Sequence, residues 1–180
     1  MEGTSLGCFF GGDPDEPLCY TLVVTTKIYI DADACPVKEE TYKVAIRYGL
    51  HTLVVSNSFM QIPSSPLITR MIVNAGPDVA DDWIVEHVVA GDVVVTSDIP
   101  LAARVLAREA HAIAPYGRAF TEDSIGLALA QRALMEHIRS TGEATGGPPP
   151  FSASDRSRFL QILDQTLARE KRKRASGQSG

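Results

Sequence analysis

Short apolar runs alternate with longer amphipathic segments from Lys27 onward, and this alternation limits the possible folds more than any other feature of the chain. The apolar runs predict buried strands, and most of the segments between them predict helices. The predicted strands are residues 27–30, 52–55, 68–73, 93–96 and 111–114, and the predicted helices are residues 37–48, 78–90 and 99–110. Strands that are apolar at every position need cover on both faces. The sequence therefore predicts a three-layer α/β/α fold with a mainly parallel sheet.

The rest of the chain predicts an extension, two C-terminal helices and a tail. Thr121 is a good cap for a helix that ends near Ser140, and the run from Ser152 to Asp155 has capping-box spacing. The predicted parts are an N-terminal extension (1–26), a single α/β domain (27–169) that includes a Gly/Pro linker (142–150) and a last helix (155–169), and a disordered basic tail (170–180).

Acidic residues follow two of the predicted strands and begin one predicted helix. Strand ends and helix starts meet at one edge of a parallel sheet, where ligands bind. Carboxylates gathered there repel one another, and a hard divalent cation such as Mg²⁺ or Mn²⁺ would relieve that repulsion. The candidate catalytic or metal-binding residues are Asp31, Asp33, Asp81, Asp82 and Asp98, with Asp78 beside them.

Structural roles compete with this interpretation. Asp98 precedes Ile99-Pro100 and is a good helix cap, and acids in a first helical turn are favoured by the helix dipole. A cap after the first strand explains only one of Asp31 and Asp33. Polar and basic residues at the same predicted edge could contact substrate phosphates, namely Lys38, Ser56, Asn57, Thr96, Ser97 and Arg118.

Composition narrows the class of protein. The 44% hydrophobic and 22% charged residues of this 180-residue chain are typical of a globular domain, and no apolar run reaches the roughly 18 residues that span a bilayer. Three cysteines are too few for a disulfide scaffold, so we expect a reducing cytoplasm and no membrane partner. The net charge of −5 argues against broad charge-driven binding to nucleic acid. Cys35 lies at a helix start, but a buried, inert role suits it better than a nucleophilic one.

Several stretches together resemble the YaiI/YqxD group of bacterial proteins, which are placed among PIN-like domains. The stretches are IYIDADACPVK, VVSN, GPDVADDWIVEHVVAGDVVVTSDIPLA, PYGRAFT and GGPPPFSASDRSRF, and they cover roughly Lys27 to Leu167. PIN-like domains place three or four acids around Mg²⁺ or Mn²⁺ to hydrolyse RNA or DNA.

The resemblance implies a role for each matching acid. Asp31 matches the acid of the first strand, Asp81 or Asp82 that of the central helix, and Asp98 that of the later strand; Asp33 is an additional candidate. Many PIN domains carry a further acid on an early helix, and neither Glu39 nor Glu40 aligns with it clearly.

Three functions follow from these observations. The first is a metal-dependent nuclease that uses Mg²⁺ or Mn²⁺ held by Asp31, Asp82 (or Asp81) and Asp98, with RNA a better substrate than DNA. The second is a non-catalytic module that binds RNA or a nucleotide. The third is a phosphatase, because IYIDADACPV also resembles the first motif of haloacid-dehalogenase phosphatases, although the later acid pair and lysine of that family have no counterpart here.

Overall fold

The computed structural model describes residues 25–32, 35–76, 78–140 and 151–177, with backbone alone for 133–140 and 177. These residues form six strands and five helices. The strands are β1 (Ile28–Asp31), β2 (Thr52–Ser56), β3 (Ile68–Ile72), β4 (Val93–Val95), β5 (His111–Ala114) and β6 (Arg118–Ala119). The helices are α1 (Lys38–Tyr48), α2 (Val79–His87), α3 (Ile99–Leu106), α4 (Glu122–Ser140) and α5 (Ala153–Gly177).

The strands form one sheet in the order β3-β2-β1-β4-β5-β6. The first five of these are parallel, and β6 is antiparallel to β5. The chain builds outward from β1 through β2 to β3, then crosses to β4 on the other side of β1. The carboxyl ends of β1 and β4 therefore flank the point where the strand order reverses, which is where open α/β sheets bind ligands.

Each central strand packs on both faces of the sheet. Ile28 and Ile30 contact the core beneath α1 and α5, whereas Tyr29, between them, faces the core beneath α2 and α3. Alternate side chains of a strand point to opposite faces, so an uninterrupted apolar strand fills two cores. The predicted three-layer α/β/α fold with a mainly parallel sheet is confirmed.

Most element ends carry the signals expected of them. Gly49 ends α1 at a left-handed φ of 68°, and its N–H bonds to the carbonyl oxygens of the last helical turn. The capping box is also formed, because Ser152 and Asp155 exchange hydrogen bonds between each side chain and the other's backbone N–H. In the same way, Thr121 accepts a hydrogen bond from the backbone N–H of Ser124 at the start of α4.

Two helices end earlier than predicted. Helix α2 ends at His87 rather than Ala90 because Val88 is extended and the N–H of Val89 bonds to the side chain of Asp92. Helix α3 ends at Leu106 rather than Ala110, in a turn where Glu109 has a positive φ of 58°. In both places a turn must bring the chain back to the start of the next strand.

Helix α5 is longer than predicted. It continues to Gly177 rather than ending at Arg169, so the prediction of a disordered tail is wrong for residues 170–177. The reason is a tertiary contact: Glu170 is only 4% exposed, and its Oε1 lies 2.9 Å from Nε2 of His111 at the start of β5. Residues 1–24, 141–150 and 178–180, which include the predicted linker and all but the last two residues of the predicted extension, lie outside the described residues. No helix in the described part of the chain is long and apolar enough to cross a bilayer.

Strand β6 was not predicted. Tyr116 and Gly117 lie in the turn that joins it to β5, and Gly117 has a φ of 76°. A Cβ atom at Gly117 would lie 2.4 Å from Cβ of Arg158 on α5, so a larger residue does not fit. Helix α5 thus packs closely on this turn and holds it beside the carboxyl edge of the sheet.

Candidate functional site

Asp31 and Thr96 join the ends of two neighbouring strands. Asp31 is the half-buried last residue of β1, and Thr96 is the buried residue that follows β4. The Thr96 hydroxyl donates to Oδ2 of Asp31 at 2.9 Å and accepts from the backbone N–H of Asp98 at 3.0 Å. The Thr96 hydroxyl therefore connects Asp31, at the end of β1, to the backbone of Asp98, in the loop after β4.

Asp98 caps α3, as its sequence position predicts. Its Oδ1 accepts a hydrogen bond from the N–H of Leu101 at 3.0 Å, and Pro100 lies in the first helical turn. The other oxygen, Oδ2, lies 3.4 Å from Nη1 of Arg132 on α4. Capping thus uses one carboxylate oxygen of Asp98, and the second oxygen is oriented toward the guanidinium group of Arg132.

Asp81, in the first turn of α2, has a carboxyl group with a raised pKa. Burial, followed by the charges of Asp31, Asp98 and Asp78, raises its pKa to about 6, and Arg104 opposes this rise. The charges of acids on β1, on the loop after β4 and on α2 thus act on one carboxyl group.

Asp82 has different surroundings from Asp81. Its Oδ1 accepts from Nη2 of Arg104 on α3 at 2.7 Å, and its side chain is 59% exposed. The structure thus groups Asp81 with Asp31 and Asp98, while Asp82 forms a surface ion pair. Asp33 lies outside the described residues.

The donor atoms fit a hard divalent cation in kind, because Asp31, Asp81 and Asp98 all offer carboxylate oxygens. Within the described residues, however, no three His, Cys, Asp or Glu side chains converge closely enough to hold a metal ion. In this conformation the oxygens of Asp31 and Asp98 are turned toward Thr96, Leu101 and Arg132. Binding a metal between them would require these side chains to reorient.

Some of the predicted phosphate-contacting residues are buried or form hydrogen bonds within the protein, and others are exposed. Ser56 is buried and donates to the carbonyl of Ser58 at 2.7 Å, so it stabilises a turn. The ammonium group of Lys38 donates to the carbonyl of Ala32 at 3.0 Å and holds the loop after β1. Asn57, Ser97 and Arg118 are exposed, while Thr96 is buried.

An open groove of about 490 Å³ lies beside Asp98, between the start of α3, the β5–β6 turn and α4. Ser97 and Arg118 line it, as predicted for substrate-contacting residues. Three further lining residues, Tyr116, Phe120 and Arg132, were missed by the sequence analysis. The alternation of Tyr116, Arg118 and Phe120 was a usable signal, whereas Arg132 is 34 residues from Asp98 and had none.

Other candidate groups have structural surroundings. Burial raises the pKa of the Cys35 thiol to about 11, which agrees with an inert cysteine rather than a nucleophile. Glu40 forms an ion pair with Arg156 of α5 at 2.7 Å, and Glu39 is exposed. Neither glutamate has surroundings that link it to Asp31, Asp81 and Asp98.

The fold and the site define a class: an α/β protein that carries acidic side chains where the strand order of its parallel sheet reverses. Within that class, the chain belongs to the uncharacterised YaiI/YqxD family, whose sequence profile matches residues 29–169. It is similar to a UPF0178 protein of Caulobacter vibrioides strain NA1000 / CB15N, at 59% identity over 145 residues, covering 81% of this chain and 95% of the relative.

Two further relatives are similar over comparable lengths. A UPF0178 protein of Bradyrhizobium diazoefficiens is 56% identical over 149 residues, which are 83% of this chain and 89% of the relative. One of Rhodopseudomonas palustris strain BisB5 is 55% identical over 151 residues, which are 84% and 92% of the two chains. No solved structure matches the chain.

Proposed function

We propose that this protein is a cytoplasmic, PIN-like nuclease that hydrolyses phosphodiester bonds, in RNA rather than DNA, with Mg²⁺ or Mn²⁺ held at its acidic edge. The observation that supports the proposal is the raised pKa of Asp81, which burial and then the charges of Asp31, Asp98 and Asp78 shift to about 6. Mutual repulsion of this kind is costly for a fold and is relieved when a cation binds. Carboxyl groups with strongly shifted pKa values occur more often at functional sites than elsewhere in proteins.

Each residue of the site has a task under this proposal. Asp31, Asp81 and Asp98 hold the metal, and Asp82 is the alternative to Asp81 on the same helical turn. Thr96 orients Asp31 through the 2.9 Å hydrogen bond. A metal bound there supplies an activated water and offsets the charge that develops on the phosphoryl oxygens. Arg118, exposed beside the site, binds a substrate phosphate.

A non-catalytic module that binds RNA or a nucleotide is the second candidate. The ion pairs of Asp98 with Arg132 and of Asp82 with Arg104 favour it, because cations of the protein itself already neutralise part of the acidic charge. In such a module these arginines would hold the ligand, and the acids would position the arginines.

The deciding experiment is a calorimetric titration of Mn²⁺ and Mg²⁺ into the full-length chain and into Asp31→Asn, Asp98→Asn and Asp123→Asn. The last variant makes the same change at an exposed acid in the first turn of α4 and serves as the control. We expect Asp31→Asn and Asp98→Asn each to remove metal binding, and Asp123→Asn to retain it.

Cleavage is then measured on single-stranded RNA, structured RNA, DNA and a small phosphomonoester. RNA cleavage that requires metal and is lost in Asp31→Asn supports the nuclease. Undiminished turnover in Asp31→Asn would overturn it. Metal or RNA binding without cleavage would support the binding module, and activity confined to the phosphomonoester, with trapping by beryllofluoride, would support the phosphatase.

A further inference from the structure

The groove beside the acids combines an aromatic surface with two cations. Tyr116, Phe120, Arg118 and Arg132 line it together with Ser97 and Gln131. Its volume of about 490 Å³ is within the range of small-molecule binding sites. A purely apolar ligand would make no use of the exposed Arg118, and a simple anion would make no use of the rings. The lining therefore suits a ligand that has both a flat ring and a negative charge.

Tyr116 is the exposed ring of this groove, with 42% of its surface accessible. Its ring packs at an angle of 61° against that of Phe151, with 6.0 Å between the centroids. The turn beneath it is held by the close approach of α5 at Gly117. The Tyr116 ring is held by its contact with Phe151 and is still partly exposed. A nucleobase can stack on such a ring at little cost in side-chain entropy.

The two arginines differ in position. Arg118 is exposed on β6 and forms no ion pair with any side chain that the structure describes. Arg132 is half-exposed and lies 3.4 Å from Oδ2 of Asp98, so it stands between the groove and the acids. A phosphate in the groove would find one available guanidinium at Arg118 and a second at the border of the acidic site.

We propose that this groove is a subsite for one unpaired nucleotide, whose base stacks on Tyr116 and whose phosphate is bound by Arg118 and Arg132. The inference rests on the proposed nuclease function, since it places this nucleotide next to the phosphodiester at the acids. The base must be unpaired, because a face that stacks on Tyr116 is covered by neighbouring bases in a duplex. The groove therefore suits a single-stranded or locally unpaired nucleic acid, and RNA enters only through the proposed nuclease function.

The test is binding without cleavage, measured by fluorescence anisotropy of a labelled short oligouridylate with the full-length chain in a chelating buffer. A blunt RNA duplex is the comparison ligand. We expect Tyr116→Ala to weaken binding of the single strand roughly tenfold and Tyr116→Phe to retain it, because stacking needs the ring and not the hydroxyl. Arg118→Gln should also weaken binding and reduce its dependence on salt.

Two variants make the same chemical changes outside the groove. Phe59→Ala removes a ring that is 70% exposed on the β2–β3 loop, and Arg108→Gln removes an exposed arginine after α3. Both should bind like the wild type. Circular dichroism of each variant shows whether the fold is retained, and the exposed Arg118 allows a conclusion even if Tyr116→Ala is unstable.

The outcomes separate this inference from the nuclease proposal. Single-strand binding that depends on Tyr116 and Arg118 and persists in Asp31→Asn supports the subsite, even if no metal-dependent cleavage is found. Cleavage without any effect of the groove variants would overturn the subsite and leave the nuclease intact. Equal affinity for the duplex, or no binding of the single strand by the wild type, would also overturn the subsite.

Discussion

Carboxylates lie at both edges of the sheet, but their surroundings differ. At the amino edge, Asp92 is fully buried and accepts hydrogen bonds from the backbone N–H groups of Lys27 at 2.8 Å and Val89 at 3.1 Å. Burial raises the pKa of Asp92, and these N–H groups oppose the rise. At the carboxyl edge, the pKa of Asp81 is raised by burial and by three like charges, and the charge of Arg104 opposes the rise.

Glu170 is a second buried acid at the amino edge, and there too hydrogen-bond donors oppose the effect of burial on the pKa. Burial tends to raise the pKa of Glu170, but the hydrogen bonds and charges of His111 and Lys173 lower it below its ordinary value. Acids with fixed donors stabilise the fold, since each satisfies groups that would otherwise be buried without partners. Acids that repel one another do not, which is why we propose the ligand site at the carboxyl edge.

The largest effect on stability is expected for Asp92→Ala. This change leaves two backbone N–H groups without acceptors, and we expect it to lower the free energy of unfolding by roughly 2 to 4 kcal/mol. Urea unfolding followed by circular dichroism measures it. Asp82→Ala, at an exposed ion pair of the opposite edge, is the control and should cost under about 1 kcal/mol. Similar losses in both variants would contradict the contrast between the two edges.

Glu170→Gln should destabilise the protein by roughly 1 to 3 kcal/mol at neutral pH, because it weakens the contact that holds α5 to β5. The folded-state pKa of Glu170 is lowered from 4.5, so its contribution is present above pH 4.5 and is lost as the pH falls through the folded value. The difference between wild type and variant should therefore shrink in acid. A constant difference from pH 7 to the acid limit would argue against the ion pair.

Asp81→Asn should have the opposite sign and increase the free energy of unfolding by about 1 kcal/mol at pH 7.5, after allowance for its partial exposure. The folded-state pKa of Asp81 is raised from 3.8 to about 6, so its penalty is absent below pH 3.8 and develops as the pH rises toward 6. Urea unfolding of both proteins at several pH values measures the difference. A variant less stable than the wild type at pH 7.5 would show that Asp81 has a structural partner.

The smallest expected effect is that of Arg132 on metal affinity. If the acidic edge binds metal, Arg132→Gln should tighten Mn²⁺ binding by roughly two- to fivefold, because it removes a positive charge that competes for Asp98. Calorimetry measures the change, and Arg108→Gln is the matched control at a distant position. Unchanged or weaker Mn²⁺ binding in Arg132→Gln would show that this pair does not compete with the metal.

Local sequence was sufficient to predict much of the fold. Apolar runs such as Val93–Val95 and caps such as Gly49 and Asp98 act over a few residues, so their strands, helix ends and turns could be read directly. The same logic failed where a distant contact decides the outcome. Residues 170–177 look like a basic tail, yet they are helical because Glu170 reaches His111, 59 residues away.

The candidate site was predictable to the same degree. The sequence shows that Asp31 and Asp98 follow strands and that Asp81 and Asp82 share a helical turn, and strand ends of a parallel sheet meet at one edge. It could not distinguish Asp81 from Asp82. The choice depends on Arg104, which pairs with Asp82 from another helix, and on the packing that buries Asp81.

The sequence by itself determined the layers of the fold, the parallel sheet and the edge at which the acids gather, because hydrophobic periodicity and helix capping are local properties. Only the tertiary structure decided that Asp81 is the acid of α2 with a raised pKa, that Arg132 approaches Asp98, and that Tyr116 and Arg118 line a groove beside Asp98. Those relations depend on how helices pack across the sheet. Packing is set by side chains far apart in the chain, whose meeting no local pattern records.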